Sequence, residues 1–337
     1  MRSLRFLLPL LFLASILISC NKDLDVNAGW KDITIVYGLL DTSADTNHIK
    51  ITKAFLGDGD ALRFAQTPDS SSYPDKLEVR LDEYADTTRV ASHLCDTVTV
   101  HNKLAGDSIF YFPDQLMYYT LDKLNENRTY KLVIKNKVTG KIVTGETVMV
   151  RDFEVFYPLG AISFIPGQTF RIKWTTARYS NAKRYQLVIR FHYLEWHTTN
   201  PGEKVLKHVD WKLFDAIKPN DVNLIQTFDL YYPASIFYSY LGGPHGEGGA
   251  IKVDPLLTRS AKYVDFIFTA AAPDFSTYLD VNQPSLSLVQ EKPAYTNITN
   301  GIGLFSSRYT KVVDSLFFGS KVELETNELT KNLNFEH

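Results

Sequence analysis

The sequence predicts a mainly β protein made of two successive β-rich units. Three observations predict it. Apolar–polar alternations of period two recur along the chain, each the mark of a strand with one buried face. Aromatic residues that favour strands are abundant, 19 Tyr and 21 Phe against 3 Met. Turn-forming clusters separate the alternations, and no segment carries a long helical period. The chain has 337 residues, a net charge of −2 and 45% hydrophobic residues. After removal of a leader, that length suits two domains of ordinary size. The near-neutral charge leaves no footprint for nucleic acid.

Residues 1–19 read as a signal peptide. Arg2 and Arg5 form a positive start, and Phe6 to Ile18 is apolar except for Pro9 and Ser15. The run is shorter than the roughly 20 apolar residues a spanning helix takes, and it fits a secretory signal. Leu17-Ile18-Ser19-Cys20 resembles a bacterial lipobox, with cleavage between Ser19 and Cys20 and lipidation of Cys20. The alternative is an ordinary signal in which Cys20 is incidental. Several acyl chains on Cys20 would anchor stably, at about 0.8 kcal/mol per buried methylene. Residues 20–29 form the lipidated cysteine and its linker. Asn21 replaces the aspartate that marks inner-membrane retention in some Gram-negative bacteria. Lys22-Asp23-Leu24-Asp25 resembles the charged export signals of Bacteroidota surface lipoproteins; otherwise it is a solvated linker. The expected address is the outer membrane, lipid-anchored and facing the cell surface.

The first β unit spans 30–150. Ile33, Ile35, Tyr37 and Leu39 alternate with Asp32, Thr34 and Val36, which predicts a strand whose apolar set is buried. "HIKITKAF" repeats the pattern, and "KLEVRLDEY" puts Leu77, Val79 and Leu81 on one side. Asp41–Asn47 and Thr67–Asp75 are turn-rich breaks. Tyr130, Leu132 and Ile134 share a face, Val138 to Lys141 supply a turn, and Ile142 and Thr144 lead back. Leu124 before Tyr130 resembles the tyrosine corner of immunoglobulin- and fibronectin-like sandwiches, which implies that fold for the first unit. The chain has 2 Cys. With Cys20 lipidated, Cys95 has no partner and reads as a small buried hydrophobe. A catalytic thiol beside His93 is the alternative, but no third group is identifiable.

The second unit, 151–337, is β-rich and sandwich-like with short helices. Phe170, Ile172 and Trp174 alternate. Tyr185, Leu187, Ile189, Phe191 and Tyr193 form one long apolar face, opposite Gln186, Arg190 and His192. "YVDFIFTAAA" is apolar nearly throughout, as a central strand is. "PASIFYSYLGG" predicts a short helix with Ile236, Phe237, Tyr240 and Leu241 on one face and Gly242 at its C-cap. "PDFSTYLDV" predicts another, and Asn300-Gly301 a tight turn.

The lipobox, the early "VYGLL" with "ITKAFLGDGD", and the late "DFSTYL" followed by "AYTNITNGIGLFSS" together resemble a Bacteroidota outer-membrane lipoprotein family of unknown function. The late pair is the more specific, with Asn297, Asn300, Gly301, Gly303 and Phe305 in an Asn-x-x-Asn-Gly-x-Gly-x-Phe stretch. Its glycines read as backbone turn requirements. Members are often encoded beside TonB-dependent transporters, so the resemblance implies an envelope role beside such a transporter. It brings no catalytic residues and no cofactor.

Candidate chemistry is sparse. Asp58-Gly59-Asp60 fails as a calcium loop because Leu62 and Arg63 stand where oxygen ligand and glycine are needed. "LGGPHGEGGA" lacks the Lys-Ser/Thr of a phosphate loop, and His245 and Glu247 within it sit on flexible glycine. His192 and His197 point to opposite faces of one strand. Asp82 and Glu83 read as surface charge. No metal or catalytic set emerges. Tyr231, Tyr232 and Tyr238, with Phe237 and Tyr240, are the best candidates for binding by aromatic contact, against a reading as core. Asp86-Thr87-Thr88, Asp96-Thr97-Val98, Asp107-Ser108-Ile109 and Asp314-Ser315-Leu316 resemble the acceptor motif of Bacteroidota O-glycosylation. Thr87 and Ser108 lie in polar turns, whereas Thr97 and Ser315 lie in apolar alternation and are expected to be buried. The reading is a non-catalytic binding or accessory component of a surface complex. Its rivals are a stand-alone glycan- or peptide-binding protein and an anchored hydrolase.

Overall fold

The computed structural model describes residues 31–56, 67–73, 75–101, 114–243, 249–282 and 294–336. The chain is mainly β. The first unit carries β1 (Lys31–Asp41), β2 (Asn47–Leu56), β3 (Leu77–Ala85), β4 (Thr88–Leu94), β5 (Asp96–Val100), β6 (Gln115–Thr120), β7 (Thr129–Asn136) and β8 (Ile142–Val148). Then come β9 (Glu154–Tyr157), β10 (Ala161–Ile162), β11 (Thr169–Thr175), β12 (Arg184–His197), β13 (Val205–Ile217) and β14 (Thr227–Pro233). β15 (Leu257–Ala271), β16 (Ile298–Thr299) and β17 (Ile302–Phe318) complete the set. The predicted helices form at Ser235–Gly242 and Pro273–Asn282. Gly243, with φ 85°, caps the first. Gly242 is the last helical residue and not the cap; a Cβ there would come to 1.7 Å from the Leu329 carbonyl oxygen, so its glycine serves close packing.

One sheet of nine strands runs through the molecule in the order β13-β12-β15-β17-β1-β2-β6-β5, with β10 added beside β17. Two smaller sheets, β16-β8-β7-β3-β4 and β14-β11-β9, are the other layers of two sandwiches. The first core joins Val36, Leu40, Ile49 and Ile51 of the large sheet to Leu77, Val79, Leu81, Tyr130, Leu132, Ile134 and Val143. It also takes Ile298 and Phe305 from beyond residue 150. The second core packs Phe170, Ile172 and Trp174 against the buried faces of β12 and β15. Both rows come from the period-two residues of the sequence.

β17 serves both cores. Its first half pairs in parallel with β1, and its second half runs antiparallel to β15. Phe305 faces the first core, while Leu316 and Phe318 face the second. That change of parity needs one extra residue. A register shift opposite Asp265 supplies it, and Ser315 there has φ 55° while its N–H donates to Asp265 Oδ1 at 2.8 Å.

Short polar locks fix the first unit. The Asn125 N–H donates to the Tyr130 hydroxyl at 2.8 Å, the back-bond of a tyrosine corner. Asn297 clamps the main chain of Phe305 through both ends of its amide, at 2.9 and 2.7 Å, and Asn300 Nδ2 donates to Ile142 O. At Gly303, φ is 114° and a Cβ would lie 2.0 Å from Val36 O, so the late Asn/Gly motif serves to seat β17 beside β1.

Two readings of single faces are corrected. In β1 it is Thr34, Val36, Gly38 and Leu40 that are fully buried, and Tyr37 is 43% exposed. Both faces of the strand are apolar, so periodicity could not choose between them; the odd-numbered face lies on the far side of the sheet, beside the 273–282 helix. Asp82 is buried, not surface charge. Burial opposes its ionisation, but hydrogen bonds from Ser92 and Arg80 outweigh that and hold its carboxyl below the usual range.

Candidate functional site

The aromatic stretch near residue 231 divides between core and surface. Tyr238 is 0% exposed, packs on Phe237 and donates its hydroxyl to Phe164 O. Its place on the inner face of a helix, not on a strand, makes it a core residue and removes it from the binding set. Tyr232 is half-buried, stacked on Phe170 at 5.8 Å. Tyr240 stacks on Trp211 at 5.7 Å and donates to Asp210 O at 2.6 Å.

Tyr231 alone of these faces fully outward, at 59% exposure. It sits opposite Arg171 in the β11–β14 register, and Lys173 sits opposite Tyr157 and Asp229. The Arg171 guanidinium lies 4.4 Å from the Tyr157 ring and 5.6 Å from the Tyr231 ring. Two hydrogen bonds, 2.7 and 2.6 Å, tie it to Asp229 and hold that carboxyl below the usual range. Lys173 lies 5.6 Å from the exposed Phe156 ring. Strand pairing thus gathers Tyr157, Arg171 and Tyr231 from three distant segments into one open platform. The sequence signal was the alternation in β11, where Arg171 and Lys173 occupy the outward positions between buried Phe170, Ile172 and Trp174.

A cleft of about 350 Å³ opens on the far face of the large sheet. Tyr37 and Leu39 of β1, His48 of β2, Leu304 and Arg308 of β17, and Phe275 and Tyr278 of the helix line it. The Tyr37 and Tyr278 rings meet edge to face at 6.3 Å. Burial raises the Tyr278 hydroxyl above the ordinary tyrosine value, and the neighbouring Tyr37 adds to it. The helix is pinned by the Phe275 N–H to Ser306 Oγ at 3.1 Å and by Arg184, which donates to Asp280. A second hollow of about 370 Å³ lies by Asp152, Phe153, Thr175 and Ile225.

The remaining polar candidates resolve into internal pairs. Cys95 is buried in the first core, and burial pushes its thiol up to about 12, so it is a protonated hydrophobe at neutral pH. His93 lies between Asp122 and Glu83, at 2.8 and 3.2 Å, and not on the thiol. His192 bonds Asp265 at 2.8 Å and His197 bonds Thr199 at 2.7 Å, so the two histidines share no ligand. No group of three or more metal-ligating side chains forms among the described residues.

Among the modification candidates, Thr87 is exposed in the β3–β4 turn, as expected. Thr97 and Ser315 are exposed too, against expectation. β5 is the edge strand of its sheet, and the bulge turns Ser315 outward. Ser19, Cys20, Lys22, Asp23, Asp25, Asp58-Gly59-Asp60, Ser108, His245 and Glu247 lie outside the described residues. Among the described residues no helix is long and apolar enough to cross a membrane. No family model matches the chain, and no curated protein matches it either.

Proposed function

We propose that this chain is a lipid-anchored outer-membrane protein that acts by binding, as an accessory component of a surface complex such as a TonB-dependent transporter. The observation that carries the reading is the open Tyr157–Arg171–Tyr231 platform. Tyr and Arg are enriched where protein interfaces hold most of their binding energy. Here a fixed guanidinium stacks with aromatic rings on a sheet face, so little side-chain freedom is left to lose on docking. The lipobox-like start and the resemblance to the envelope family support the address and the partner.

Pulldown of the full chain from detergent-solubilised native outer membranes tests it. The expected result is a transporter recovered in stoichiometric amount, reduced at least about tenfold by Arg171→Glu with Tyr231→Ala. A clean monomer from wild-type membranes rejects it. Cys20→Ala should release the protein from the membrane, and deletion of 22–25 should lower its exposure to protease on intact cells while leaving lipidation in place. An unacylated mature N-terminus in wild-type protein would overturn the anchor.

A further inference from the structure

We infer that the cleft between β1 and the 273–282 helix is a second binding site, separate from the platform, for a carboxylate carried on a six-membered ring. One part of its lining is apolar, with Leu39, Leu304, Phe275 and the rings of Tyr37 and Tyr278; the rest is polar, with Asp41, Thr46, Asn47, His48 and Arg308. Apolar concave walls with a few convergent polar groups are the usual make-up of a small-molecule site. A volume of about 350 Å³ stands near the small end of such sites, enough for one ring with its substituents.

Arg308 supplies the charge. Its Nε donates to Asp41 Oδ2 at 3.3 Å, and its side chain is 44% exposed. Among the described residues its two terminal nitrogens have no hydrogen-bond partner, so the guanidinium edge that grips a carboxylate with two bonds is free. Asp41 is a positioning residue. It is buried, and its carboxylate also takes the Ser43 N–H at 3.0 Å, the Ser43 hydroxyl and the Thr310 hydroxyl at 2.8 Å. Those bonds occupy the carboxylate and fix the direction of Arg308. His48 adds a polar wall; its exposed ring meets Tyr119 at 6.0 Å and makes no hydrogen bond among the described residues. An anionic head on Arg308 with a ring against Tyr37 and Tyr278 satisfies both halves of the cleft. A neutral sugar leaves the guanidinium unused, and a bare carboxylate leaves the rings uncovered.

Calorimetric titration of the full chain in detergent with glucuronate, benzoate, glucose and acetate tests this. At least one of the two ring acids should saturate one site with a Kd on the order of 1 mM or tighter. Glucose and acetate should bind at least about tenfold more weakly. Glucuronate alone identifies an acidic sugar, benzoate alone an aromatic acid, and either sustains the proposal. Arg308→Met should weaken the bound acid about tenfold or more, and Arg308→Lys, which keeps the charge and the fold but loses the two-pronged geometry, should weaken it severalfold. Arg171→Glu should leave this binding unchanged, which separates it from the platform. Failure of both ring acids to saturate overturns the proposal. So does equal binding of acetate or glucose, or binding indifferent to both Arg308 variants.

Discussion

The two cores share one sheet but are built by different means. The first is aliphatic, with Leu, Val and Ile around Tyr130 and Phe305. It is held in register by polar locks and by close backbone approach at Gly303. The second is aromatic: Trp174 lies 4.6 Å from Phe228, Phe164 stacks on Phe237 at 4.2 Å, and Phe153 meets Tyr185 edge to face. It tolerates loose polar ends, since Trp174 Nε1 and the Tyr185 hydroxyl are buried without a hydrogen bond, although Ser180 lies near the latter. The contrast teaches where each half is vulnerable. Fit and hydrogen bonding decide the first; ring volume decides the second.

Substitutions can break that contrast. Gly303→Ala should have the largest effect, destabilising the first core by about 4 kcal/mol or more, because a methyl would press into Val36 O at a φ that L residues avoid. Trp174→Ala should cost about 3–5 kcal/mol through the cavity it leaves. Tyr130→Phe, which leaves the Asn125 N–H without its acceptor, should cost about 1–3 kcal/mol. Tyr185→Phe should change stability by less than about 0.5 kcal/mol, because no hydrogen bond is lost. Urea unfolding measures all four; a Tyr185→Phe loss equal to that of Tyr130→Phe would erase the distinction. The smallest effect is expected at Cys95. In a Cys20→Ala chain its thiol, raised by burial, should not react with iodoacetamide at neutral pH until the protein unfolds.

The strands were legible because each buried row repeats every second residue in one local stretch. The tyrosine corner was legible for the same reason: donor and acceptor are five residues apart. β1 was misread because both its faces are apolar, and only the sheet and helix packed around it decide which is sealed. Between binding and core, Tyr238 falls to the core because in its short helix of 8 residues the neighbours Phe237 and Leu241 are buried with it. Of the platform only Tyr231 was legible as a binding candidate; its partners Arg171 and Tyr157, and the whole cleft, were not. Tyr157, Arg171 and Tyr231 meet only through strand pairing, and Tyr37 reaches Tyr278 and Arg308 only because the last long strand lies beside the first.

That adjacency makes both cores depend on the last long strand. Asp41 and Arg308 are 267 positions apart, yet their strands are neighbours. Contacts this distant in sequence slow folding, because the chain must search before any reward arrives. Until β17 emerges, the first core lacks Phe305 and the second lacks Leu316 and Phe318. Neither core is therefore complete until nearly the whole length of the chain is available. Until then the β17-facing edges of β1 and β15 are unpaired, and an open strand edge is a template for wrong pairing.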